Sequence, residues 1–171
     1  LRYTALRYFN VAGADPRGRT GQSTPGATHL IKVACETALG KRPFMQVFGT
    51  DYPTPDGTCM RDYIHVSDLA AAHRLALQRL RDGNASLVAN CGYSHGYSVL
   101  EVIDSVRRAF GHDFEVKMGD RRPGDAAAVV ANSDLARAEL GWIPQRDDLD
   151  QIVADALAWE RILTGKNSAR G

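Results

Sequence analysis

Short runs of β-branched and aromatic residues alternate with amphipathic helical stretches along nearly the whole chain, and glycine closes most of the helical ones. That alternation constrains the fold more than any other feature. A period-2 run followed by a period-3.6 run, repeated, builds an α/β protein with helices packed on strands. The first residues, through Asn10, read as a strand, and further strands are expected at 44–48, 61–66, 87–91, 114–118 and 128–131. Leu30, Ile31, Ala34 and Ala38 fall at helical spacing between residues 28 and 39, with Gly40 as the stop. Ser67 is expected to cap a helix running to about Arg81, ended by Asp82-Gly83. Ser98-Val99-Leu100-Glu101 has the spacing of a capping box, and Val102, Ile103, Val106 and Phe110 continue an apolar stripe behind it. A helix from Ser133 to Leu140 ends at Gly141, and Leu149, Ile152, Val153, Ala156, Trp159 and Leu163 mark the last one.

Two long loops interrupt this pattern, 12–27 and 49–59, both rich in glycine, proline and threonine. Loops of that length in a compact protein are commonly functional. The polar residues after Gly165 read as a flexible tail, 166–171. The chain opens inside a β-rich run with no initiator Met, so an upstream segment is expected.

Composition narrows the function classes. Lys and Arg number 21 against 20 Asp and Glu, a net charge of +1, which offers no electrostatic case for nucleic acid or an anionic membrane surface. No apolar run approaches the roughly 20 residues that span a bilayer. Cys35, Cys59 and Cys91 show no C-x-x-C spacing, so neither a disulfide framework nor a zinc site is indicated, and a reducing cytoplasm is expected. The five histidines are scattered, without metal-ligand spacing. No glycine-rich loop joins a strand tightly to a helix, so no dinucleotide cradle is expected in these residues. No tyrosine is followed by lysine at the fourth position, and there is no nucleophile elbow.

What remains are two arginine-bearing segments. Arg61 follows the turn at Asp56-Gly57, and Arg121-Arg122-Pro123-Gly124-Asp125 forms a tight loop between strands. Forked guanidinium groups suit a diphosphate. By charge alone the blander reading is preferred, surface salt bridges of Arg61 with Asp62 and of Arg122 with Asp125, which are worth little.

Longer motifs shift that balance. Leu6-Arg7-Tyr8-Phe9-Asn10-Val11-Ala12-Gly13, Val47-Phe48-Gly49-Thr50-Asp51-Tyr52-Pro53-Thr54-Pro55-Asp56-Gly57-Thr58 and Arg61-Asp62-Tyr63-Ile64-His65-Val66 resemble, in order and spacing, the UDP-glucose 4-epimerases of the extended short-chain dehydrogenases/reductases. Arg121 to Asp125 and Leu140-Gly141-Trp142 continue the match, so the likeness covers essentially the whole chain.

The resemblance implies the C-terminal, substrate-binding part of an extended Rossmann-type enzyme, with its cofactor-binding half missing. Residues 1–24 would be the last of the Rossmann domain and a crossover loop, and 25–165 mainly the nucleotide-sugar domain. Phe9 would touch NAD and Asn10 would hydrogen-bond the substrate near its diphosphate. Thr28, His29 and Leu30 would cover the diphosphate at a helix N-terminus. Gln46, Val47 and Phe48 would frame the uracil, Arg61 and Arg122 would clamp the diphosphate, and Asp125 would take the ribose hydroxyls. Val129, where some relatives place tyrosine, leaves room for an N-acetylated sugar, and His29 stands where many carry asparagine. The implied reaction interconverts UDP-galactose and UDP-glucose through a 4-keto sugar, using a Tyr/Lys pair this chain lacks, in an enzyme expected to be a homodimer. Two other classes stay open: another NAD-dependent nucleotide-sugar epimerase, dehydratase or decarboxylase, and a non-catalytic UDP-sugar-binding module.

Overall fold

The computed structural model describes residues 1–168. Its strands are β1 (Thr4–Arg7), β2 (Asn10–Ala12), β3 (Met45–Phe48), β4 (Met60–Arg61), β5 (Tyr63–His65), β6 (Leu87–Asn90), β7 (Tyr97–Ser98), β8 (Val116–Gly119) and β9 (Ala128–Val129). Its helices are α1 (Leu30–Ala38), α2 (Val66–Arg81), α3 (Val99–Phe110), α4 (Asp134–Leu140) and α5 (Leu149–Ser168). The α/β class holds, with parallel pairing predominant. β1 runs parallel to β6, β2 to β5, and β3 to β8, while β4 lies between antiparallel β7 and parallel β9.

Two of the expected strands divide. The opening run breaks at Tyr8-Phe9, so β1 and β2 take different partners. Residues 61–66 break at Asp62, and Arg61 and Tyr63 belong to different sheets. The cause at Asp62 is chemical. Its carboxylate is buried and accepts from the amides of Tyr93, Ser94 and Ala131 at 3.0–3.2 Å, joining three segments at one point. Burial holds its pKa above the ordinary carboxylate value, against the lowering effect of those amides. Gly92 is required beside it, because a Cβ there would press on the Asp62 carboxylate.

Helix α3 begins as its spacing predicts. Glu101 N–H donates to Ser98 Oγ at 3.1 Å and Ser98 N–H to Glu101 Oε2 at 2.7 Å, and Gly111 ends the helix in the left-handed region. Helix α2 departs from expectation, since its N-cap is His65 and not Ser67. The buried His65 ring accepts from Ser67 N–H through Nδ1 at 3.0 Å, so its proton sits on Nε2, 3.1 Å from Asp155 on α5. Helix α5 continues through Ser168, three residues into the segment expected to be a tail, and 169–171 lie outside the described residues.

The core is one cluster. α1, α3 and α5 pack together through Ile31, Cys35, Val102, Val106, Ile152 and Val153, while α2 and α4 cover β1 and β6. Trp142, 1% exposed, donates from its indole to the Asp68 carbonyl at 3.0 Å and so ties the segment after α4 to α2. All three cysteines are free and buried. Burial pushes the Cys35 thiol up to about 12 and the Cys91 thiol to about 11, which leaves both unreactive near neutrality.

Candidate functional site

Five segments far apart in sequence meet around a cleft of about 650 Å³. The start of β2 contributes Asn10, the approach to and first residue of α1 contribute Thr28, His29 and Leu30, and β3 contributes Gln46, Val47 and Phe48. Arg61 of β4 and the loop residues Arg122 and Asp125 close the fourth side. Every residue expected to touch substrate therefore lines one cavity except Val129, and Phe9 also lies outside it. Val129 sits on β9 directly beside Arg61 in register, and the Phe9 ring is 46% exposed just before β2.

Local structure explains how each wall is presented. His29 is the N-cap of α1, with extended backbone and no side-chain cap bond, and no acidic residue occupies the first turn. The first-turn amides of α1 thus lack a side-chain partner and carry the positive end of the helix dipole. The His29 ring lies 3.5 Å from the Gln22 amide nitrogen. Asn10 donates to the Asp62 carbonyl at 3.2 Å, which orients its amide across the β2–β5 pair.

Along β3, Met45 and Val47 turn into the core while Gln46 is exposed and Phe48 half-exposed. Met45 N–H donates to the Glu115 carbonyl and Gly49 N–H to that of Gly119, on the β8 side. Backbone groups alternate along a strand, so those of Gln46 and Phe48 face the other edge, which pairs with no described strand. Val47 enters the cleft wall with its side chain only 1% exposed. The Gln46 side chain lies over Gly119, where any Cβ would collide with it.

The arginines are held differently from the salt bridges that charge alone suggested. Arg61 does not pair with the buried Asp62. Its Nη1 donates to the Met60 and Ala126 carbonyls at 2.8 Å each, and its Nη2 lies 3.5 Å from Asp125 Oδ1. Arg122 does not pair with Asp125; its guanidinium carbon sits 3.6 Å from the centre of the Phe48 ring. One cation is thus fixed by a fork of carbonyls, and the other stacks over the aromatic face of the cleft. The loop carrying Asp56 and Gly57 is tied down by Thr58, whose amide and hydroxyl both donate to Asp56 Oδ1. Gly57 has φ +80, and a Cβ there would run into the Thr50 carbonyl.

Sequence reasoning missed Arg42, Phe44, Cys59 and Tyr63 as parts of this wall. Arg42 carried a signal, a basic residue two positions after the Gly40 helix stop and shortly before β3. Tyr63 is 3% exposed, and burial pushes its phenol above the ordinary value.

The arrangement gives an anion-receptive end, made by the α1 N-terminus and Arg61, and a flat end made by Phe48 and the free edge of β3, with Arg122 stacked on the Phe48 ring. It does not make a dinucleotide cradle. β2 and α1 are separated by residues 13–29, folded back on themselves by the Ala14–Gly21 bridge, and no tight strand–glycine–helix turn occurs among the described residues. No group of acidic, cysteine or histidine residues among them could hold a metal ion, and no helix is long and apolar enough to cross a membrane.

Known proteins share this fold. The UDP-glucose 4-epimerase of Azospirillum brasilense is 61% identical over 163 residues, 95% of this chain and 47% of that protein. The structure of UDP-glucose-4-epimerase from Stenotrophomonas maltophila, with bound NAD and formylated UDP-arabinopyranose, superposes with a TM-score of 0.93 at 41% identity over 97% of this chain and 49% of that one. The Bifidobacterium longum UDP-glucose 4-epimerase, in complex with NAD+ and UDP, does so with a TM-score of 0.87 at 41% identity, over 94% and 48%. The chain spans about half the length of the curated relatives it matches. The family model of NAD dependent epimerases/dehydratases matches residues 1–92, which carry β1 to β6, the α1 N-terminus and Arg61, and by that match the chain belongs to the NAD dependent epimerase/dehydratase family.

Proposed function

We propose that this chain is the nucleotide-sugar-binding part of a UDP-glucose 4-epimerase, which interconverts UDP-galactose and UDP-glucose through a 4-keto sugar. The observation that carries the reading is the cleft, in which an uncapped helix N-terminus and Arg61 share a wall with an open strand edge whose aromatic ring, Phe48, carries Arg122 on one face. A uridine diphosphate needs those elements in that order. Uracil would lie against Phe48, with Gln46 and Phe48 backbone groups at its edge. The diphosphate would lie between Arg61, Arg122 and the α1 amides, Asn10 would bond the substrate beside it, and Asp125 would accept from the ribose.

The role of these residues is to hold the nucleotide while leaving the sugar free to turn. The proton-transferring Tyr/Lys pair and the NAD cradle are not formed by the described residues, and the chemical step is assigned to neither Arg61 nor Asn10. Phe9 offers an exposed aromatic edge to a cofactor bound largely by other sequence. The small Val129 beside Arg61 leaves space for an N-acetyl group, so N-acetylated UDP-sugars are included among candidate substrates. The parent enzyme is taken to be a cytoplasmic homodimer. The test is a coupled assay on the protein as its gene encodes it, supplied with UDP-galactose. Formation of UDP-glucose supports the proposal, and binding without turnover favours a plain UDP-sugar-binding module.

A further inference from the structure

We propose that Arg42 is a positioning residue that sets the diphosphate end of the cleft, acting through the Ala27 carbonyl and anchored by Glu36. The proposal rests on the reading of the cleft as a UDP site.

The segment that leads into α1 is poorly tied. Residues 13–22 are closed by the Ala14–Gly21 bridge and by Trp159, whose indole donates to the Gln22 carbonyl at 3.1 Å. Among the described residues, the 23–28 segment is tied to the chain beyond α1 by a hydrogen bond from Arg42 Nη2 to the Ala27 carbonyl, 3.1 Å long. Ala27 is buried and directly precedes Thr28, His29 and Leu30, the residues that present the first-turn amides of α1 to the cleft. The same guanidinium donates from Nε to Glu36 Oε2 at 2.5 Å. One planar fork therefore bridges the last turns of α1 and the strand of chain before its first turn. Lysine, with a single ammonium, cannot hold both partners in that geometry.

The anchor is itself supported. Glu36 Oε1 meets Lys32 at 3.2 Å, Lys32 meets Glu160 Oε2 of α5 at 2.6 Å, and Lys41 meets Glu160 Oε1 at 2.5 Å. The Lys32 and Glu160 side chains are 8% and 4% exposed, so this chain of charges is shielded from solvent and salt. Burial opposes the charge on Glu36, yet its pKa lies below the ordinary value because the Arg42 and Lys32 bonds outweigh burial. Three cations serve two carboxylates, and Arg42, one of the three, also lines the cavity.

The test compares UDP and uridine binding by calorimetry, using the protein as its gene encodes it. Arg42→Ala is expected to weaken UDP about tenfold and leave uridine unchanged, because it disturbs the phosphate end alone. Glu36→Gln is the decisive second variant. It keeps the Arg42 charge but removes its anchor, and is expected to weaken UDP several-fold in the same selective way. An Arg42 that only touched phosphate directly would leave Glu36→Gln at wild-type affinity, and that result overturns the proposal. Equal losses for UDP and uridine overturn it as well, since they signal a general loss of structure. A wild-type protein that binds no UDP removes the underlying reading of the cleft, an outcome distinct from unchanged variants.

Discussion

Arg61 and Arg122 look alike in the sequence, and the structure gives them different tasks. Arg61 is locked by two carbonyls and Asp125, whereas Arg122 is held over Phe48 by its π-face. Loss of Arg122 should therefore affect binding with little effect on folding. Arg122→Ala is expected to weaken UDP about tenfold or more while the unfolding temperature stays within a few degrees, as titration and thermal melts would show. The sequence marked both arginines as diphosphate candidates only through family resemblance. Charge spacing alone suggested Arg61–Asp62 and Arg122–Asp125 pairs, because sequence neighbours say nothing of the amides that converge on Asp62 from residues 93, 94 and 131.

Among the elements, α3 was the most legible, since both halves of a capping box and a left-handed glycine stop are local features. Ser98 also donates to Asp56, so it joins the helix start to the loop beside the cleft. Ser98→Ala should cost about 1–2 kcal/mol by denaturant melts. Helix α2 was less legible because its cap is a buried histidine held by a residue 90 positions away. Burial keeps the His65 imidazole below its ordinary value of 6.5, although Asp155 pulls the other way; Arg146 and Asp68 are the remaining charges that act on it. The unfolded state thus takes up a proton more readily than the folded one. The stability from neutral His65 is complete above pH 6.5 and is lost as pH falls toward the lower folded value. The unfolding midpoint should drop between pH 7 and 5, and His65→Gln should flatten that drop in thermal melts. The divided strands at Tyr8-Phe9 and Asp62 were illegible for a related reason: an unbroken β-pattern does not reveal a change of partner.

For the whole molecule, the α/β class was plain from alternating periodicity, while the residues that meet in the cleft were named only through the family resemblance. The second wall of the cleft was not plain. Arg42, Phe44 and Tyr63 enter it because the segment before β3, the start of α1, β2 and β5 line one cleft, a long-range arrangement with no local signature. The division of labour also belongs to this scale. On the proposed reading the described residues would serve as a nucleotide anchor, with neither a dinucleotide cradle nor a Tyr/Lys pair among them, so the 171-residue chain by itself should show no interconversion of UDP-galactose and UDP-glucose. Measurable turnover by that chain alone, in the coupled assay, would remove the division. The most direct test of the anchor is a crystal structure of the protein with UDP. Density for uracil on Phe48 and for the diphosphate between Arg61, Arg122 and the start of α1 is the predicted result. Density for UDP anywhere else, with the cleft empty at saturating ligand, would contradict it.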